Sequence, residues 1–107
     1  MTNVTISIGN YHQSISCHGH ATGDNPLVCA SISTMVTALG GYLENMETSE
    51  GESKDYSLEE GNATFSFSAA EKPNAEVKGA FLCCAIGLMQ IANEFPDYVK
   101  IVDAQIN

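Results

Sequence analysis

The chain has 107 residues, with 13 Asp and Glu against 4 Lys and no Arg, for a formal net charge of −9. Four lysines cannot supply the clustered basic face that a nucleic-acid backbone or an anionic membrane surface demands, so neither is an expected partner. With 44 % hydrophobic and 16 % charged residues the chain reads as globular, and its length suits one domain, 1–107, built around one ordinary core.

Val4, Ile6 and Ile8 alternate with polar residues and predict a half-buried strand. That alternation, with no basic residues before it, does not read as a signal peptide. Gly9-Asn10 is a two-residue turn signal and predicts a hairpin partner from Tyr11 to Cys17. Asn25-Pro26 then opens a helix, because Asn caps well and Pro suits the first helical position. Val28, Ile32, Met35 or Val36, Leu39, Leu43 and Met46 recur along one face of that helix, which fades near Leu43–Met46.

Residues 44–60 hold seven of the acids and one Lys, a local balance of −6, and part of this stretch reads as a solvated loop. Tyr56-Ser57-Leu58 and Thr64 to Ser68 flank Gly61-Asn62 as a second hairpin. Lys72-Pro73-Asn74 breaks the chain, and Glu76 to Phe95 is the longest helix candidate. From Ala80 to Met89 this helix is apolar all round, so it must be covered on two faces. The sheet can cover one, and a homodimer is the expected cover for the other. Pro96 ends the helix, and Tyr98 to Val102 predicts a last short strand.

The order ββαββαβ, joined mostly by hairpins, predicts an α+β two-layer sandwich: a mainly antiparallel sheet of about five strands with two helices on one face. The longest apolar stretch is about half a bilayer span. Cys83 and Cys84 are neighbours and suit neither a metal knuckle nor an easy mutual disulfide, so reduced thiols and a cytoplasmic location are expected.

The segment Cys17-His18-Gly19-His20 to Cys29 carries two of the three histidines and two of the four cysteines. It runs from a strand end through a loop into a helix start. Cys29 is the fourth helical residue after the cap, where unpaired N–H groups and the positive dipole end favour an anionic sulfur. A His across the loop could take its proton, as a Cys–His nucleophile requires, and His20 is the better placed of the two. Two other readings use the same atoms. Cys29 could be a small core residue, or His18 and His20 with Cys17 or Cys29 could bind Zn²⁺, although Cys17 and His18 point to opposite faces of a strand.

Gly19-His20-Ala21, then Gly23, then Val28-Cys29-Ala30-Ser31-Ile32-Ser33 resembles the G-H-A…G…V-C-A-x-x-S signature of the ribosomal-processing cysteine protease family, Prp. Leu82 to Val99 is similar to that family's second helix, with its Gly-x-x-x-x-Ala-x-x-Tyr/Phe-Pro ending. The resemblance implies a compact homodimer acting as a cytoplasmic cysteine endopeptidase, without a cofactor. Such an enzyme removes a short N-terminal extension, ending in apolar aromatic residues, from a large-subunit ribosomal protein. It implies Cys29 as nucleophile, His20 as general base, Ser33 as a supporting group, and Gly19 and Gly23 as the points where the loop bends over the substrate. Pro26 stands where the family commonly carries an acidic residue, which leaves Asp24 to orient His20. The loop between His20 and Cys29 is also shorter than the family's. A shortened loop keeps two alternatives open: a phage-type relative processing a capsid protein, or a non-catalytic dimeric interaction module with Cys29 buried. An acidic surface at Glu47, Glu50 and Glu52 would steer a basic substrate.

Overall fold

The computed structural model describes residues 1–19 and 25–107. Seven elements follow one another as β1 (Thr2–Ile8), β2 (His12–His18), α1 (Pro26–Asn45), β3 (Glu52–Glu59), β4 (Asn62–Ala69), α2 (Ala75–Glu94) and β5 (Val99–Ile106). This is the predicted α+β order. The sheet runs β3-β4-β2-β1-β5. All neighbours are antiparallel except β1 and β5, which pair in parallel with a register shift between Val4 and Thr5.

Strand alternation decides what the sheet does. Val4, Ile6, Ile8, Ile15, Cys17, Ala63, Phe65 and Phe67 are buried together with the inner faces of both helices. Thr5, Ser14, Ser16, Thr64 and Ser66 occupy the alternate positions, facing away from the helices, so one face is core and the other is hydroxyl-rich.

The first hairpin turns over Gly9–Tyr11, one residue longer than the turn predicted. Gly9 N–H donates to His12 O at 2.9 Å, and the buried Gln13 donates its amide to Gly9 O at 2.7 Å and Asn10 O at 3.3 Å. The second hairpin turns at Glu60-Gly61, with Asn62 already paired to Glu59 and Gly61 at φ +74°. β3 starts at Glu52, earlier than the hydrophobic pattern indicated. An edge strand tolerates charges on its exposed positions, so the acidic run continues into the sheet.

Both helices start on an Asn cap: Asn25 Oδ1 accepts from Val28 N–H at 3.4 Å and Asn74 Oδ1 from Val77 N–H at 3.1 Å. At the other end of α1, the Lys54 ammonium reaches over from β3 and donates to Leu43 O at 2.6 Å and Met46 O at 2.7 Å. It thereby satisfies carbonyls the helix leaves open, with a charge of the favourable sign. The helices meet closely at Gly87, where a Cβ would run into the end of the Met35 side chain.

Each helix is 20 residues long with a mean hydropathy of 1.4 over its best 18-residue window, enough by length and composition to cross a membrane. Both instead lie on the sheet, with 28 % and 33 % of those windows buried. The apolar residues of α2 sort accordingly: Val77, Phe81, Cys84, Ala85 and Leu88 are buried, while Cys83, Ile86 and Met89 are exposed. β5 extends to Ile106, beyond the short strand predicted, because parallel pairing with β1 carries it to Ile8.

Candidate active site

Cys29 sits at the fourth position of α1 and its N–H donates to Asn25 O at 3.3 Å. Its side chain is exposed, which removes the alternative in which it is a buried core residue. No acidic residue stands in the first turn of α1. The positive end of the helix is therefore left uncompensated by its own carboxylates where the Cys29 sulfur lies.

A cleft of about 280 Å³ opens beside this turn. Cys29, Ile32, Ser33 and Val36 from α1 form one wall. Leu58, Glu59, Glu60 and Gly61, at the end of β3 and its turn, form the other. Thr2 and Cys17 also line it, one on β1 and the other on β2. Sequence reasoning placed Cys29 and Ser33 four residues apart on α1, and the structure sets both on the cleft. It missed Thr2, Leu58, Glu59 and Glu60, whose approach to Cys29 depends on pairings distant in the chain.

Gly19, also on the cleft, is held from three sides. Its N–H donates to Gly61 O at 2.8 Å, its carbonyl accepts the Thr2 hydroxyl at 3.4 Å, and at φ +96° a Cβ would collide with the Met1 carbonyl. Gly19 is the residue where the regular alternation of β2 stops, since the strand ends at His18. His18 is exposed at the strand end, pairs across to Asn3 and Asn62, and does not line the cleft. The predicted roles of His20, Gly23 and Asp24 lie outside the described residues.

Cys17 is buried, and that burial pushes its thiol up to about 11. Burial first, then the neighbouring Cys17 and Cys83, push Cys84 to about 12. Both stay protonated at neutral pH and are poor nucleophiles. All four cysteines are outside disulfides. Cys17 faces the core while His18 is exposed, which separates two ligands of the imagined Zn²⁺ set, and no group of three or more His, Cys, Asp or Glu could hold a metal ion among the described residues.

The acids fall differently from the steering expectation. Glu47 and Glu50 precede the far end of β3, and Glu52 is engaged by Ser49 N–H at 2.8 Å and the Asn74 amide at 2.9 Å. Glu59 and Glu60 are the acids that line the cleft.

The family profile described as "Cysteine protease Prp" matches residues 1–100. No curated protein matches the chain. Among solved structures, a ribosomal processing protease Prp from S. aureus, in complex with a covalently linked product peptide, is 17 % identical. It superposes with a TM-score of 0.72 over 96 % of this chain and 99 % of that one. The same S. aureus protease with a substrate peptide gives 16 % identity and a TM-score of 0.71 over 96 % and 99 %. The protein SMU.848 from Streptococcus mutans is 21 % identical, with a TM-score of 0.72 over 98 % of each chain.

Proposed function

The chain belongs to the Prp family of cysteine proteases, and from that premise we propose that it is an endopeptidase that trims an N-terminal extension from a ribosomal protein. The observation that carries the reading is Cys29, exposed on a peptide-sized cleft at a helix start that has no acid in its first turn. In this mechanism His20 takes the thiol proton and Cys29 Sγ attacks the scissile carbonyl. The acyl group moves to sulfur, His20 returns the proton to the leaving amine, and water then hydrolyses the thioester. The oxyanion needs a donor near Cys29. Pro26 has no N–H, and Val28 and Cys29 spend theirs on Asn25, which leaves Leu27 N–H in that first turn. Asp24 orients His20, while Gly23 and Gly19 allow the loop to bend over the substrate. Glu59 and Glu60 give the cleft a charge suited to a basic protein.

The working unit in this proposal is a homodimer located in the cytoplasm. An open groove of about 880 Å³ runs along α1 and α2, lined in part by Met35, Ile86, Met89, Ile91 and Phe95. Ile86 is 53 % and Met89 38 % exposed, and a second copy would cover both.

The deciding experiment is incubation with a large-subunit ribosomal protein carrying its N-terminal extension, read by intact mass. A single cut inside the extension that is lost in His20→Ala is the expected result. An intact substrate at equimolar enzyme would overturn the reading. Light scattering after size exclusion should give twice the 11.4 kDa chain mass, and a monomer at micromolar concentration would remove the dimer.

A further inference from the structure

We propose that the two cysteines of the cleft, Cys29 on α1 and Cys17 on β2, form a redox pair: peroxide oxidises Cys29, and Cys17 then closes on it to give a reversible disulfide. The inference uses the reactive Cys29 sulfur that the peptidase reading also needs, and adds a covalent modification in which no substrate takes part.

Peptide cleavage gives Cys17 no task. Its side chain nonetheless lines the same cleft of about 280 Å³ as Cys29, although only 4 % of it is exposed. It stands on the inner face of β2, paired to Val4 on one side and Ala63 on the other, so the sheet holds it in place. Cys84 is close enough to Cys17 for their charges to interact, but it does not line the cleft. Cys17 is thus the buried thiol that faces the space in front of Cys29.

Their surroundings set the order of events. Cys29 is exposed in the first turn of a helix, where the dipole favours the thiolate that peroxide attacks. Burial pushes the Cys17 thiol up to about 11, so it does not compete for the oxidant. In the first step the O–O bond of hydrogen peroxide breaks, one oxygen joins the Cys29 sulfur as a sulfenic acid, and the other leaves as water. In the second the Cys17 sulfur attacks the Cys29 sulfur, the S–O bond breaks, and the hydroxyl leaves with the Cys17 proton as water. Little Cys17 is thiolate, but a thiolate of high pKa is strongly nucleophilic, and here the encounter is intramolecular.

A disulfide holds its two Cα atoms within about 7 Å of each other, and the part free to adjust is the start of α1. Its first turn is closed by bonds of 3.4 Å from Val28 N–H to Asn25 Oδ1 and 3.3 Å from Cys29 N–H to Asn25 O. The matching bonds of α2 are 3.1 Å and 3.0 Å. Longer bonds yield more readily.

The test treats the wild-type protein with hydrogen peroxide in modest excess at neutral pH, blocks remaining thiols with iodoacetamide, and digests without reductant. Cleavage before aspartate puts Cys17 in residues 1–23, Cys29 in 24–54, and Cys83 and Cys84 in 55–96. The expected product is 1–23 joined to 24–54, two hydrogens lighter than the separate peptides and parted by dithiothreitol. Separate peptides, with extra oxygens on Cys29 and iodoacetamide on Cys17, would overturn the proposal, as would 1–23 joined to 55–96. In Cys17→Ala the fraction of Cys29 that dithiothreitol returns to thiol should fall at least about tenfold, because the sulfenic acid runs on to sulfinic acid. Cys83→Ala should still give the joined pair. A protein that forms this bond but cuts no ribosomal-protein extension keeps the redox pair and loses the peptidase reading; one that cuts and forms no bond does the reverse.

Discussion

The chain folds as two ββα halves, and their helices start in nearly the same way. Each has 20 residues and an Asn cap whose side chain accepts the N–H three residues on. They differ in what the first turn contains. In α2 it holds Glu76, which complements the dipole and accepts the Tyr42 hydroxyl at 2.9 Å, so this end is structurally spent. In α1 it holds no acid and presents Cys29 to a cleft. The same local device thus anchors one half with an acid and, in the other, opens a helix whose first turn holds Cys29 instead. Fold and site are separable here at the level of one turn.

The sharpest way to break this comparison is to exchange the roles of two exposed cysteines, Cys29 on α1 and Cys83 in the middle of α2. Cys29→Ala should reduce peptide cleavage by about a thousandfold or more, as loss of a nucleophile does, with Cys83→Ala left within about twofold. Equal losses would place the chemistry elsewhere. Iodoacetamide at neutral pH should label Cys29 on the order of a hundredfold faster than Cys83, and Cys17 and Cys84 slowest, by peptide mapping. Equal rates at the two exposed thiols would mean the α1 terminus does nothing special.

Glycines give the next contrast. Gly19→Ala forces a Cβ against the Met1 carbonyl at φ +96° and should cost about 2 kcal/mol by denaturant unfolding. Gly79→Ala, in a helix interior with nothing within 4 Å, should instead stabilise by about 0.5–1 kcal/mol. The caps fall in a similar range. Asn25→Ala should lose about 1 kcal/mol. Asn74→Ala should lose more, because Asn74 also donates to Glu52.

The smallest effect is in acid. Hydrogen bonds from Ser49 N–H and then Asn74, with the charge of Lys72, hold the Glu52 carboxyl below its ordinary range. Its contribution is therefore present above the unfolded carboxylate value and lost as pH falls through the lowered folded one. The Tm difference between wild type and Glu52→Gln should be positive near neutrality and shrink in strong acid; a constant difference would contradict it.

Much of this was legible locally. Asn25-Pro26 fixed the start of α1 and hence the position of Cys29, and Val4, Ile6 and Ile8 fixed a strand face. What escaped was carried by distant pairings. The acids at Glu52 and Asp55 hid the start of β3, since an edge strand has little burial to impose a pattern. Val102, Ala104 and Ile106 alternate with Asp103 and Gln105, a strand pattern beyond the short strand predicted to Val102; it goes with no burial, since β5 is held through its backbone against β1 and residues 102–107 are all exposed. Leu58 reaches the cleft only because β3 pairs with β4 and packs over α1 at Gly40, which no short window of sequence contains.

The parallel pairing of β1 with β5 has a consequence for how the molecule comes into being. Thr2 is matched to Val99, and Thr2 N–H is held by Tyr98 O at 2.8 Å, so β1 waits for β5, which is made long after it. Contacts of that sequence separation close late and slowly. Thr2 is also part of the cleft wall and holds the Gly19 carbonyl. During synthesis the surroundings of Cys29 therefore remain unfinished until β5 has been added, and a partly made chain carries Cys29 without its completed cleft.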